Sequence, residues 1–258
     1  MQTSISQKGY RCKEYKKHDK GLNLKDNSKG LIYNKSTGLL YQFSNNDSIL
    51  AVDIAVNDPV TQRKILMFGS KIWIDILGKK KKRRGVMFPM GMKEFEGMRP
   101  GGDMNRENRN GGKDPFNDQK HLMVKRIKNL EIIGVYEDIN RVINSWSDDN
   151  IVVTAEFDEL DMLYLRFEIP FTYLNLDYEL LKYADLSFGY ETGYMNMSEM
   201  QNRQSEPGGG GSAHPGGSGG GMRPGGPPGN GTVNNERMQM MQKMSEADKF
   251  WVKKVHLF

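Results

Sequence analysis

A single cysteine, Cys12, stands in the 258 residues, so no disulfide within the chain is available and the fold rests on burial and hydrogen bonding. Long apolar runs are also missing. No stretch reaches the roughly 18 apolar residues that a membrane-spanning helix requires. The N-terminal stretch is polar and basic with no apolar h-region, so no signal peptide is expected in the chain as it stands. Histidine is scarce: His18, His121, His214 and His256 sit in unrelated contexts. There is no His-Glu-x-x-His, no nucleophile elbow, and no glycine motif between a strand and a helix that would cradle a phosphate. Asp148/Asp149 and Asp158/Glu159 fall in predicted turns, where carboxylates serve solvation. The reading is a protein that is not an enzyme.

The net charge is +5 and the pI near 9.0. The run Lys79-Lys80-Lys81-Lys82-Arg83-Arg84 supplies more than that whole excess. Clustered ammonium and guanidinium groups suit polyanions. The run is bounded by Gly78 and Gly85 between two predicted strands, which makes it a solvated hairpin tip. No aromatic stacking platform is interleaved with it, so nucleic acid is not the expected partner, and an acidic glycan or a lipid headgroup is as good a match. A hydrophobic fraction of 37% and a mean hydropathy of -0.67 are low for a globular chain, but two Gly-rich and Asn-rich stretches dilute the average.

The stretch from Gly38 to Pro89 carries the strongest pattern. Leu39, Tyr41 and Phe43 alternate with polar positions up to Asn45-Asn46-Asp47, and Leu50, Val52, Ile54 and Val56 alternate after it, which predicts a half-buried hairpin. Asp58 and Pro59 then stand as N-cap and first residue of a short helix ending at Gly69. A third strand follows, with Ile72, Ile74 and Ile76 on one face and Trp73 and Asp75 on the other, and the chain turns into Val86-Met87-Phe88-Pro89. Further on, a helix is predicted over 119–129 and strands over 130–136, 151–157, 163–169, 186–194 and 250–258. Thr172 to Ala184 reads as a connecting helix or turn, and 236–245 as a helix.

The predicted organisation is a polar N-terminal segment over 1–28 and one domain over 29–258, with flexible insertions at about 91–118 and 202–235 whose Gly-rich composition cannot offset its ordering entropy. The fold class is all-β with a few short helices: a jelly-roll-like β-sandwich with two disordered insertions.

The order Tyr41 to Val56 around Asn46-Asp47, then Ile72-Trp73-Ile74-Asp75, then Leu165-Arg166-Phe167-Glu168-Ile169-Pro170, resembles the family 9 carbohydrate-binding modules and their DOMON-like relatives. The resemblance covers roughly Gly38 to Pro89 and Ile151 to Leu257. A further likeness is to exported proteins of the Bacteroidetes type, in which a Trp-Ile-Asp strand precedes Gly-Lys-Lys-Lys. The resemblance implies a secreted or periplasmic sandwich that binds a ligand without catalysis, with glycan the ligand class. Sugars are held by flat apolar faces and planar polar groups. The candidate ligand-binding residues are therefore Trp73, Asp75, Trp146, Arg166 and Glu168. If their strands are neighbours, Trp73, Asp75, Arg166 and Glu168 share one face. The structural alternative has Trp73 filling a second core layer, with Asp75 or Glu168 pairing with Arg166; Trp251 is read as packing in the last strand.

Two metal readings stand beside this one. Asn45, Asn46, Asp47 and Asp75 offer oxygen ligands suited to calcium, although Asn-Asn-Asp between strands also serves as turn chemistry. Seventeen methionines, with Met-x-Met at Met90/Met92, Met195/Met197 and Met238/Met240, offer thioethers for Cu(I). The repeated Gly-Met-Arg-Pro-Gly-Gly at 97–102 and 221–226 gives both insertions a similar character. The alternative function is thus a Cu(I)-binding or protein-interaction module using Met-rich loops. No metal is a required cofactor on this reading, and the sequence names no protein partner.

Overall fold

Apolar residues at every second position need a surface that buries one face only, and the computed structural model meets that need with two stacked sheets. It describes residues 10–14, 30–91, 115–136, 139–144, 151–174, 179, 183, 185–196 and 231–257. In chain order the strands are β1 (Tyr10–Arg11), β2 (Lys13–Glu14), β3 (Ile32–Tyr33), β4 (Leu40–Asn45), β5 (Ile49–Val56), β6 (Ser70–Asp75), β7 (Arg84–Met87), β8 (Asn129–Tyr136), β9 (Ile139–Asn144), β10 (Val152–Phe157), β11 (Leu163–Pro170), β12 (Leu186–Thr192) and β13 (Lys249–His256). The helices are α1 (Pro59–Phe68), α2 (Pro115–Arg126) and α3 (Gly231–Ser245), with a 3-10 turn at Phe171–Leu174. The architecture is the expected all-β sandwich.

The seven-stranded sheet has the order β1-β13-β12-β6-β7-β8-β9; the six-stranded one runs β10-β11-β5-β4-β2, with β3 also on β4. Two connections carry the chain from the second sheet to the first: β5 through α1 to β6, and β11 to β12. β5 pairs antiparallel with β11, and β6 with β12, so the connections leave from opposite ends of the sandwich. Asp58 caps α1 by accepting from the Thr61 N–H at 2.9 Å and the Thr61 hydroxyl at 2.7 Å.

One apolar cluster lies between the sheets. Leu39, Tyr41, Phe43, Leu50, Val52, Ile54 and Val56 from the first hairpin meet Ile72, Ile74, Val86, Phe188 and Phe250 from the opposing sheet. Ring contacts stitch the layers: Phe43 to Phe188 at 4.5 Å, Tyr41 to Phe250 at 5.0 Å and Phe88 to Phe167 at 6.3 Å between centroids. Truncating one such buried phenylalanine to alanine costs about 3–5 kcal/mol.

In β13, strict alternation from Phe250 and Val252 would bring Lys254 into the core. Lys254 instead takes φ 53, and the register on β12 shifts between Leu186 and Ser187. The bulge puts Val255 and Leu257 inside and leaves Lys253 and Lys254 exposed. Burying an unpaired ammonium would cost far more than the irregular ladder.

Several expected boundaries move. The segment 1–28, read as lying ahead of the domain, contributes β1 alongside β13 and β2 alongside β4. Tyr10 and Cys12 explain this: Tyr10 stacks edge-on against Phe43 at 5.3 Å, and Cys12 is buried. α2 begins at Pro115, inside the stretch assigned to the first insertion, because proline suits the first helical position. β9 was not expected; its Val142 is exposed, so the strand shows no clear alternation. α3 likewise begins at Gly231, inside the stretch assigned to the second insertion; the rest of both insertions, 92–114 and 202–230, and with it their expected disorder, lies outside the described residues. The chain divides into two compact units, 1–193 with 247–258, and 194–246. Within the second, α3 ends where the Met195 N–H donates to the Met244 carbonyl at 2.7 Å.

Burial pushes the Cys12 thiol up to about 12. In the native protein it therefore resists a thiolate-specific reagent such as Ellman's at pH 8, and it reacts once the chain is unfolded in guanidinium. Native labelling at the rate of a small free thiol would show that the N-terminal strand pair is not closed over it.

Candidate functional site

The outer face of the seven-stranded sheet is built on one row of residues. Trp251 of β13 lies opposite Gly189 of β12, Gly189 opposite Trp73 of β6, and Trp73 opposite Gly85 of β7. Alternation puts Ile72, Ile74, Phe188 and Phe250 into the core and so turns this row outward. The glycines are what let the indoles lie down. A β-carbon at Gly189 would stand 2.7, 2.8 and 2.9 Å from Trp251 Cε2, Cζ2 and Cδ2, near-equal distances that place the ring face-on over the glycine. A β-carbon at Gly85 would meet Trp73 Cε3 at 2.9 Å and the Ile72 carbonyl at 2.4 Å. Two tryptophans thus cover four adjacent strands, a span of roughly 14 Å.

Trp73 is 7% exposed and Trp251 half-buried. The ammonium groups of Lys71 and Lys82 stand 5.9 and 5.8 Å from the Trp73 ring centre, a cation–π arrangement that covers its outer side. Glu191 holds the group together: its Oε2 accepts from Trp73 Nε1 at 3.3 Å and pairs with Lys82. Lys249 and Lys253 flank Trp251 on β13 and are exposed.

Asp75 sits two residues beyond Trp73 on the same face, but its carboxylate is engaged by the chain itself. Its Oδ1 accepts from the Leu77 N–H at 3.1 Å and its Oδ2 from the Lys81 N–H at 2.9 Å. The cationic run is therefore the tip of a braced hairpin, with Lys79 to Arg83 exposed as expected. Burial alone would raise the Asp75 carboxyl. The N–H groups of Lys81, Leu77 and Lys79 and the charge of Arg83 outweigh it and hold the group below its ordinary 3.8.

Arg166 and Glu168 lie elsewhere. β11 belongs to the six-stranded sheet and β6 to the seven-stranded one, so the strands are not neighbours and the four collected residues do not share a face. Arg166 stands opposite Asp53 in register, with Nη1 3.3 Å from Asp53 Oδ1 and Nε donating to Glu168 Oε1 at 3.0 Å. Arg166 and Asp53 are both buried. The structural alternative for Glu168, pairing with Arg166, is the arrangement present. Trp146 lies outside the described residues.

The calcium candidates do not converge. Asn46 Oδ1 accepts from the Ser48 and Ile49 N–H groups at 2.8 Å each, which is turn chemistry, and Asp75 is in the other sheet. Among the described residues no three of His, Cys, Asp and Glu cluster as metal ligands. Of the methionine pairs, Met238 and Met240 share α3, where Met238 is exposed; Met92 and Met197 lie outside the described residues.

Two groupings went unread in the sequence. Lys120, buried on α2, pairs with Asp161, and its ammonium stands 4.9 Å from the Phe157 ring centre, which ties the helix to the β10–β11 turn. Lys64, buried on α1, pairs with Asp248 at 2.5 Å. Both are positive charges on helices whose partners are distant in sequence, so no local pattern reveals them. Trp251 was also missed as a surface residue. Its signal was present: it alternates with Phe250 and Val252, and Gly189 sits mid-strand in β12, where glycine marks a close approach.

The fold defines the class: an all-β sandwich with three helices among the described residues. No family model matches the sequence, and no curated protein matches it. Comparison of structures finds similarity to a family 9 carbohydrate-binding module from Caldicellulosiruptor kristjanssonii in complex with cellotriose, at 7% identity and a TM-score of 0.31, over 74% of this chain and 79% of that chain. No helix among the described residues is long and apolar enough to cross a membrane.

Because its folded value is depressed, Asp75 contributes stability that is fully present above 3.8 and lost as pH falls below it. The stability gap between wild type and Asp75→Asn is expected to be constant from about pH 5 to 8 and to shrink below about pH 4. A gap that persists unchanged at pH 3 in urea titrations would remove the carboxylate from its bracing role.

Proposed function

We propose that this protein is a non-catalytic ligand-binding module whose ligand surface is the Trp251–Gly189–Trp73–Gly85 row, and that the ligand is a glycan. The observation that carries the reading is the pair of indoles in direct register, one laid flat over a glycine, on the solvent side of a sheet. Pyranose rings present a face of C–H groups that packs on such a surface, and the flanking Lys side chains give it a polar rim. A glycan ligand fits a periplasmic or extracellular site of action.

The half-buried Trp251 offers the open ring face. Trp73 becomes available when Lys82 and Lys71, which both stand over its ring, swing aside. Lys82 belongs to an exposed loop, and its pair with Glu191 faces solvent, so displacing it costs only about 0–1 kcal/mol. That is small against the burial of an aromatic face, which is why the covered ring still counts toward the surface. Asp75 contributes by holding the loop that carries Lys82. Arg166 and Glu168 support the opposite sheet.

A thermal-unfolding screen of the whole protein against a glycan panel tests the reading. A ligand present at about 100 times its Kd adds roughly 2.7 kcal/mol to stability, a readily measured shift. The shift is expected with one sugar class and is expected to vanish in Trp251→Ala, whose unliganded far-UV spectrum stays that of the wild type. A panel with no shift, or a shift that survives loss of Trp251, removes the proposed surface.

A further inference from the structure

The charge around the two tryptophans is mostly positive, and the carboxylates beside them, Glu191 and Asp75, are already engaged. Lys249 and Lys253 are exposed on either side of Trp251, and Lys71 stands between Trp73 and the strand end. Among the described residues none of these three is in an ion pair. The one carboxylate between them, Glu191, is already engaged by Lys82 and the Trp73 indole. The braced hairpin then brings the exposed Lys79 to Arg83 to the same edge, its direction set by the Asp75 bonds to the Leu77 and Lys81 N–H groups. A neutral sugar gains little from such a collar, because ammonium groups are strongly hydrated and a hydroxyl returns less than that hydration. A carboxylate returns a charge-assisted hydrogen bond.

From this arrangement we infer that the ligand is an acidic polysaccharide, a chain of uronic-acid or similarly carboxylated sugars. Its pyranose faces lie on Trp251 and Trp73, and its carboxylates meet Lys71, Lys249 and Lys253. The inference rests on the glycan reading and adds the charge of the sugar. The spacing supports it. Trp251 and Trp73 flank Gly189 across adjacent strands, so successive sugars run across the strands, while Lys249 and Lys253 lie two residues either side of Trp251 along β13 and reach both edges of such a chain. The field of the collar also gives long-range attraction, which salt weakens.

The test uses the full chain in affinity electrophoresis through gels containing polygalacturonate, with cellohexaose in calorimetry as the neutral probe and single-stranded DNA as a second polyanion. The expected result is retardation by polygalacturonate that falls by about tenfold in affinity, equivalent to 1.4 kcal/mol, both in Trp251→Ala and in the triple variant Lys71→Gln, Lys249→Gln, Lys253→Gln. Trp251→Phe is expected to retain most of it. The triple variant changes only side chains that face away from the core, so it keeps the test decisive if Trp251→Ala fails to fold. Cellohexaose bound as tightly as the acidic polymer, with the triple variant unaffected, would overturn the inference and leave the glycan reading standing. Equal retardation by DNA, indifferent to Trp251, would reduce the surface to general polyanion adsorption and overturn it as well. No binding to either glycan would overturn both readings.

Discussion

The structure depends on burying one face of each of two sheets against the other. Phe43, Phe167 and Phe188 lie in that layer, each 2% exposed or less, and sheet-to-sheet packing at about 10 Å leaves room for a single interleaved layer of side chains. Once those faces are committed, the pleat commits every intervening residue to the outside. Trp73 and Trp251 lie on the outer face of their sheet because Ile72, Ile74, Phe250 and Val252 face the core. The glycines opposite them follow from the same constraint, since an indole can lie flat on a sheet only where the neighbouring strand has no β-carbon.

The helices against the sheets and the six-stranded sheet itself are held by charge as well as by burial. Lys64 on α1 and Lys120 on α2 are buried lysines, each matched to one aspartate on a segment distant in sequence. Arg166 plays the comparable part on the six-stranded sheet, held between Asp53 on the next strand and Glu168 on its own. Such pairs add modest net stability, because desolvation consumes most of the Coulomb gain, while removing one partner leaves a charge unmatched in a poor solvent. They are better understood as fixing which way α1, α2 and the central strands are set than as the source of the fold's stability.

Much of this was legible in the residues. The hairpin from Leu40 to Val56, the capped helix after Asp58, the outward Trp73 and Asp75 on β6 and the return of the last strand to the sheets all follow from period two, turn residues and capping chemistry. Less was legible where a signal is short or displaced. The two-residue strands at 10–14 are too brief to show a period, and the Lys254 bulge breaks the phase of β13. Asp75 looked like a ligand-binding carboxylate because the backbone N–H groups that occupy it belong to a loop whose conformation the composition does not specify.

By itself, then, the sequence determined the inward and outward faces of the longer strands, because the alternation of apolar and polar side chains is a property of each residue and its near neighbours; the buried Lys64 and Lys120, whose partners are distant in sequence, were beyond it. It could not determine which strands become partners. Trp73 was grouped with Arg166 and Glu168, yet its sheet-mates across the row are Gly189 and Trp251, residues more than a hundred positions further along. Only the tertiary structure decided that, because strand pairing is set by how the two crossings at opposite ends of the sandwich close a common core, and that closure depends on contacts between segments that no local window contains.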